Sequence, residues 1–133
     1  MQSEKPIYKK PFETIDNYEE STWIGNDTPF METEYTGVFR DKYPCTPGHT
    51  LFIPKKNTPE YVGQSYGLAY EYGNNKVKEG KIMGFNVGMN IGLCAGQTIL
   101  WPHIHFIPRH EGDAEHHGGM RYSHPSADHN HYY

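Results

Sequence analysis

Residues 96–109 read GQTILWPHIHFIPR, and this stretch decides the fold. A glycine-led turn, Gly96-Gln97-Thr98, opens onto a run from Ile99 to Ile107 that is rich in the β-branched and aromatic residues strands favour. Side chains alternate between faces along a strand. Trp101, His103 and His105 therefore share one face, while Leu100, Pro102, Ile104 and Phe106 point the other way, into the core. Two imidazoles side by side, each with an ordinary pKa of about 6.5, can act as base and proton donor near neutral pH.

Upstream, residues 82–91, IMGFNVGMNI, read as a further strand, joined to the histidine strand by a turn over Gly92 to Gly96. Before it comes the clearest helix signal. Thr58 can cap, Pro59 takes the first helical position and Glu60 sits at the positive end of the dipole. Val62, Ser65, Tyr66, Ala69, Tyr70 and Val77 recur at spacings of three and four as an apolar stripe, weakened by Gly67 and Gly73 and ending near Gly80. Further back, residues 32–41 (ETEYTGVFRD) and 49–53 (HTLFI) read as strands separated by a loop carrying Pro44, Pro47 and Gly48, and so as an antiparallel pair. Strand, strand, helix, strand, strand predicts an α+β domain with one main helix on an antiparallel sheet. Around Trp23, Ile24 and Phe30 the sequence reads as a turn between short apolar pieces. Residues 1–20 lack a clear period and are expected to be an arm, disordered or docking late, which leaves residues 21–133 as the domain.

A chain of 133 residues is one domain with a single core. Twelve basic against sixteen acidic residues give a net charge of −4, which argues against a nucleic-acid or anionic-membrane surface. No apolar run approaches the roughly 18 residues of a membrane span, so a cytoplasmic protein is expected. Cys45 and Cys94 lack Cys-x-x-Cys spacing and are expected as reduced thiols. Eleven tyrosines imply a partly aromatic core. Five of nine histidines, His116, His117, His124, His129 and His131, crowd the tail at spacings that fit no tetrahedral metal site. They are expected on the surface, and no metal or cofactor is expected.

The stretch resembles the signature of the histidine triad (HIT) proteins, His-φ-His-φ-His-φ-φ behind Gly-Gln-Ser/Thr. It matches at every place but one: Trp101 stands where the family has its first histidine. The blocks FRDKYPCTPGHTLFIPK (residues 39–55) and GFNVGMNIGLCAGQT (residues 84–98) resemble the family's upstream segments. The tail RHEGDAEHHGGMR, with Ala127-Asp128 and Tyr132, resembles the longer ending of bacterial-type members. Trp101-Pro102-His103 is also similar to the His-Pro-His of galactose-1-phosphate uridylyltransferases.

What the resemblance implies is specific. The fold would be a HIT-like, homodimeric α+β domain. His103 would attack the α-phosphorus of a nucleotide and carry the nucleotidyl group, with His105 donating to the leaving group or holding the phosphate. Gly96, Gln97, Thr98 and Asn90 would hold phosphate, and Asp41 the ribose hydroxyls. Phe39 and Ile53 would line the base pocket, and Trp101 would stack on the nucleotide or wall the pocket. The ligand would be a nucleotide or nucleotidyl conjugate, a phosphoramidate or dinucleoside polyphosphate, hydrolysed or transferred without an obligatory metal. The other reading is a nucleotide-binding module that has lost turnover with the first histidine.

Overall fold

The computed structural model describes residues 15–115, 117–128 and 130–131. Its centre is the antiparallel pair β2 (Thr36–Arg40) and β3 (Thr50–Pro54), flanked outside by the two-residue β1 (Met31–Glu32). β5 (Ile104–Arg109) pairs with the other side of β3, and β4 (Gly84–Gly88) closes the far edge, giving the antiparallel order β1-β2-β3-β5-β4. Pairing in the histidine strand begins at Ile104 and not at residue 99, because Pro102 has no N–H to give a ladder. The expected strand over residues 82–91 shortens to Gly84–Gly88, with Ile82 joining the core instead.

α2 (Pro59–Lys78) lies across one face of the sheet. Thr58 caps it, its hydroxyl accepting the Tyr61 N–H at 3.2 Å. Val62, Ser65, Tyr66 and Ala69 face the sheet as the spacing predicted, but Tyr70 is 66% exposed and Val77 also faces solvent. Gly73 takes the buried place beside them because the Phe85 ring leaves no room for a side chain there. On this face Val38, Phe52, Ala69, Ile82, Ile104 and Phe106 form one core cluster. A buried bond between Thr36 Oγ1 and Ser65 Oγ, 2.6 Å, ties helix to sheet.

The other face has its own core: Tyr18, Phe39, Leu51, Ile53 and Trp101, covered by Ile15, Trp23 and Ile24. The cover is the N-terminal segment, a 3-10 turn (Tyr18–Glu20) followed by the short helix α1 (Thr22–Asn26). Of the arm expected over residues 1–20, residues 1–14 lie outside the described residues. From Ile15 onward the segment is docked, with Tyr18 only 6% exposed. His116, His129 and Tyr132 of the tail also lie outside the described residues; His117, His124 and His131 are exposed. No helix among the described residues is long and apolar enough to cross a membrane.

Candidate active site

Trp101 sits where the histidine strand passes under the N-terminal segment. It is 4% exposed, packed in the second core cluster, and its indole N–H donates to the Pro54 carbonyl at 2.8 Å. An indole has one donor, and this one is used inside the fold. The side chain is therefore a wall and not a free stacking surface.

The main-chain carbonyl of Trp101 does something else. It lies 2.8 Å from His103 Nδ1. A carbonyl can only accept, so Nδ1 carries the ring's proton and Nε2 of the neutral ring keeps its lone pair. Burial holds the pKa of His103 below its ordinary value, against the opposing pull of the Trp101 carbonyl and the Asp41 carboxylate. The ring is neutral at pH 7. Trp23 of α1 leans against it, ring centres 4.9 Å apart.

A second chain of contacts fixes His105. Leu51 pairs with His105 across β3 and β5, and directly opposed residues share a face. His49, two residues before Leu51, falls on that same face. The Cys45 N–H donates to His49 Nδ1 at 3.1 Å, so the proton of His49 is on Nε2. That nitrogen lies 2.9 Å from His105 Nδ1 and 3.3 Å from Asp41 Oδ2. Two N–H groups cannot face each other at 2.9 Å, so His105 Nδ1 accepts and its own proton is on Nε2. Burial, then the neighbouring His103 and His49 rings, press the pKa of His105 from 6.5 down to about 4, with Asp41 opposing. The two catalytic candidates, ring centres 5.2 Å apart, thus differ at the same atom: Nε2 is bare on His103 and protonated on His105.

Asp41, His49 and His105 also bring three potential ligand atoms within 4.8 Å of one another. A cation there would need His49 Nε2 to lose its proton. Nδ1 cannot take it, because the Cys45 N–H already points at that atom. These residues are a hydrogen-bonded chain, poorly suited to a metal.

The remaining expected site residues divide. Asp41 joins the histidines, its Oδ1 accepting the Tyr43 N–H at 2.8 Å and its Oδ2 facing His49. Asn90 is exposed, two residues past the Gly88–His105 pair. Gly96 and Gln97 lie in the turn that precedes the histidine strand. Their N–H groups donate to the Leu93 and Gly92 carbonyls, and the Gln97 amide bridges Gly92 N–H and the Ile99 carbonyl. Two of the main-chain donors expected at the phosphate are thus bonded within the turn in this structure. Thr98 is exposed and keeps its hydroxyl outside any bond among the described residues. Phe39 and Ile53 are fully buried in the second core cluster. His49 and Trp23 are the residues that sequence reasoning missed. The signal for His49 was its position opening the strand after the Asp41 loop; Trp23 carried none beyond being aromatic.

Comparisons with known proteins give the family and the fold. The HIT domain family matches residues 26–112. An uncharacterized HIT-like protein of Methanocaldococcus jannaschii is 32% identical over 90 residues, 63% of this chain and 70% of that protein. The asymmetrical bis(5'-nucleosyl)-tetraphosphatase of Schizosaccharomyces pombe is 28% identical over 91 residues, 63% of this chain and 50% of its own. An adenylylsulfatase of Arabidopsis thaliana is 36% identical over 80 residues, 55% of this chain and 41% of its own. The chain therefore spans half or less of these two enzymes. Among solved structures, a zinc-bound histidine triad family protein from Mycobacterium smegmatis superimposes with a TM-score of 0.60 at 31% identity, covering 68% of this chain and 73% of that one. The Plasmodium falciparum diadenosine triphosphate hydrolase, in complex with cyclomarin A, gives 0.62 at 25% identity over 80% of this chain and 76% of its own.

Proposed function

The chain belongs to the HIT domain family, and from that premise we propose that it is a nucleotide hydrolase or nucleotidyl transferase acting at the α-phosphorus through a covalent nucleotidyl-His103 intermediate. The observation that carries this reading is the 2.8 Å contact from His103 Nδ1 to the Trp101 carbonyl. It leaves the lone pair on Nε2, where an attacking atom needs it. The first triad position contributes its main chain to that contact, and any residue has a carbonyl. Trp101 in place of histidine therefore leaves the nucleophile intact, which favours an enzyme over a module without turnover.

In this reading His103 Nε2 attacks phosphorus, the leaving group departs, and water or another acceptor opens the phosphoramidate, so one hard displacement becomes two easier ones. His105 Nε2–H, Thr98 and Asn90 hold the phosphate, and Asp41 accepts from ribose hydroxyls. Phosphoramidates and dinucleoside polyphosphates are the substrate class, and the cytoplasm is the proposed location. The homodimer is proposed to form over the solvent face of α2, where Gly63 and Gly67 lie exposed with open space above them beside Tyr70, and over the unpaired edge of β4. Two helix glycines that meet nothing among the described residues of one chain make sense if a second backbone comes close.

The test is turnover. The protein incubated with adenosine phosphoramidate and with diadenosine tetraphosphate releases nucleoside monophosphate from at least one of them, and His103→Ala abolishes the release. Binding of nucleotide without release by the wild-type protein would overturn the enzyme reading in favour of the module.

A further inference from the structure

We propose that a cavity under the C-terminal half of α2 is a second binding site, separate from the histidines, for a short inorganic phosphate chain such as pyrophosphate. Its argument is independent of what the histidines catalyse.

The cavity, about 360 Å³, is bounded by Arg40 at the end of β2, Tyr72 and Lys76 of α2, Lys81 ahead of β4 and His110 after β5, with Phe106 beneath. Arg40 follows Val38 by two residues, and Val38 and Phe106 belong to the core under α2. The cavity is therefore on the helix face of the sheet. His105 is on the other face, opposite Leu51 of the second core cluster. Arg40, Lys76 and Lys81 gather here with an imidazole, and no carboxylate lines the walls. The chain as a whole carries a net charge of −4, so this concentration runs against its balance. Cations collected around one hollow repel each other, and an anion relieves the repulsion.

Arg40 is already set in place for such a ligand. Its Nη1 donates to Thr50 Oγ1 at 3.0 Å and to the Tyr72 hydroxyl at 3.4 Å. Thr50 is fully buried and sends its own hydrogen to the Gly48 carbonyl at 2.8 Å, which leaves its oxygen as an acceptor. The guanidinium also lies over the Phe30 ring, 4.1 Å from its centre. These contacts hold one nitrogen of the fork. Among the described residues the N–H groups on Nη2 and Nε have no partner, and Arg40 makes no ion pair. A fixed guanidinium with open donors matches the bidentate geometry of phosphate oxygens.

The lysines supply charge that can follow the ligand. Lys76 is half-buried and makes no ion pair among the described residues. Lys81 pairs with Glu79 at 2.8 Å, but both side chains are largely exposed, and such a pair is weak enough for the ammonium to turn inward. Lys76 and Lys78 both stand in the last turn of α2, where a cation offsets the negative end of the helix. Lys78 does this without lining the cavity, which makes it the natural control.

The walls favour phosphate without a nucleoside. Tyr72 packs edge-on against Phe52 and Phe106, centres 5.6 and 5.1 Å away, and Lys76 Nζ sits 4.9 Å over its ring, so it offers a nucleobase no open face. The volume is at the small end of the roughly 300 to 1,000 Å³ of small-ligand pockets. It suits two or three linked phosphates.

The test is titration of the nitrogen-15-labelled full-length protein with sodium pyrophosphate, read from amide shifts. Saturable shifts are expected at Gly48, Tyr72, Lys76, Lys81 and Ile82. Lys76→Gln should weaken that affinity about tenfold and Lys81→Gln about threefold, while Lys78→Gln changes it by less than about twofold. Amide spectra otherwise like wild type show that the variants are folded. Shifts at Thr98 or His103 report a separate event and should survive Lys76→Gln unchanged. Cavity amides that do not move at millimolar pyrophosphate overturn the proposal. So does an equal loss in Lys78→Gln and Lys76→Gln, which would reduce the site to diffuse charge attraction. Adenosine monophosphate moving the same amides at lower concentration than pyrophosphate would also overturn it, as a nucleotide site. Turnover of a phosphoramidate, or its lack, alters none of these readouts.

Discussion

Replacing Trp101 by phenylalanine separates what that residue does for the fold from what it does for the chemistry. The indole N–H satisfies the Pro54 carbonyl in a buried setting, and phenylalanine leaves that carbonyl unpaired, at a cost of about 1 to 3 kcal/mol. Losing the second ring opens space among Tyr18, Phe39, Leu51 and Ile53, worth roughly 1 kcal/mol more, a fraction of the full Trp→Ala penalty. The expected destabilisation is about 2 to 4 kcal/mol. The main-chain carbonyl that holds His103 is unchanged, so kcat on the better of the two substrates should fall by less than about fivefold at a temperature where the variant is folded. Urea unfolding followed by far-UV circular dichroism measures the first quantity, since the substitution removes one of only two tryptophans and makes fluorescence unsuitable. Unchanged stability together with a kcat as low as that of His103→Ala would refute the reasoning, because the indole itself would then be part of the chemistry.

Three other outcomes are expected. The pKa of His105 is about 4 in the folded protein against 6.5 ordinarily, so as pH falls the unfolded chain binds this proton first. Stability is therefore full above pH 6.5 and is lost progressively from there to about 4. At 1.36 kcal/mol per pH unit the full loss would be ~3 kcal/mol, discounted to about 2 for partial exposure; denaturation at pH 7 and pH 4.5 checks it, and an equal slope in His105→Asn would contradict it. Gly37→Ala puts a methyl group where the Tyr18 hydroxyl lies. It should cost about 2 kcal/mol and loosen the N-terminal segment, seen as faster proteolysis around Trp23 and not elsewhere. A side chain at Gly67 meets nothing within 4 Å among the described residues, and Gly67→Arg replaces a poor helix former, so thermal stability of the monomer should hold while light scattering shows the proposed dimer lost; a variant that stays dimeric removes α2 from the proposed interface.

Much of this was legible in the sequence because it follows from short periods. Alternation from Trp101 to Phe106 gave the faces of β5, and Thr58-Pro59 gave the start of α2 to the residue. Spacing failed where a neighbour from elsewhere decided the matter. Tyr70 fits the apolar stripe, yet the buried place goes to Gly73 because Phe85 of β4 occupies the space beside it. That the Gly96 and Gln97 N–H groups bond to the Leu93 and Gly92 carbonyls follows from how the turn closes and not from the residue types. The partnership of His49 with His105 spans 56 residues and exists only through the register of β3 on β5. Trp23 reaches His103 because the N-terminal segment docks on the second face, and no periodicity announces docking.

The central claim is that the bare Nε2 of His103 attacks phosphorus. Wild-type protein mixed with adenosine phosphoramidate, quenched within a turnover and digested under alkaline conditions should yield a peptide bearing one nucleotidyl group, which fragmentation places on His103 and not on His105. Turnover that persists in His103→Ala, or a nucleotidyl group found on any other residue, would contradict the account.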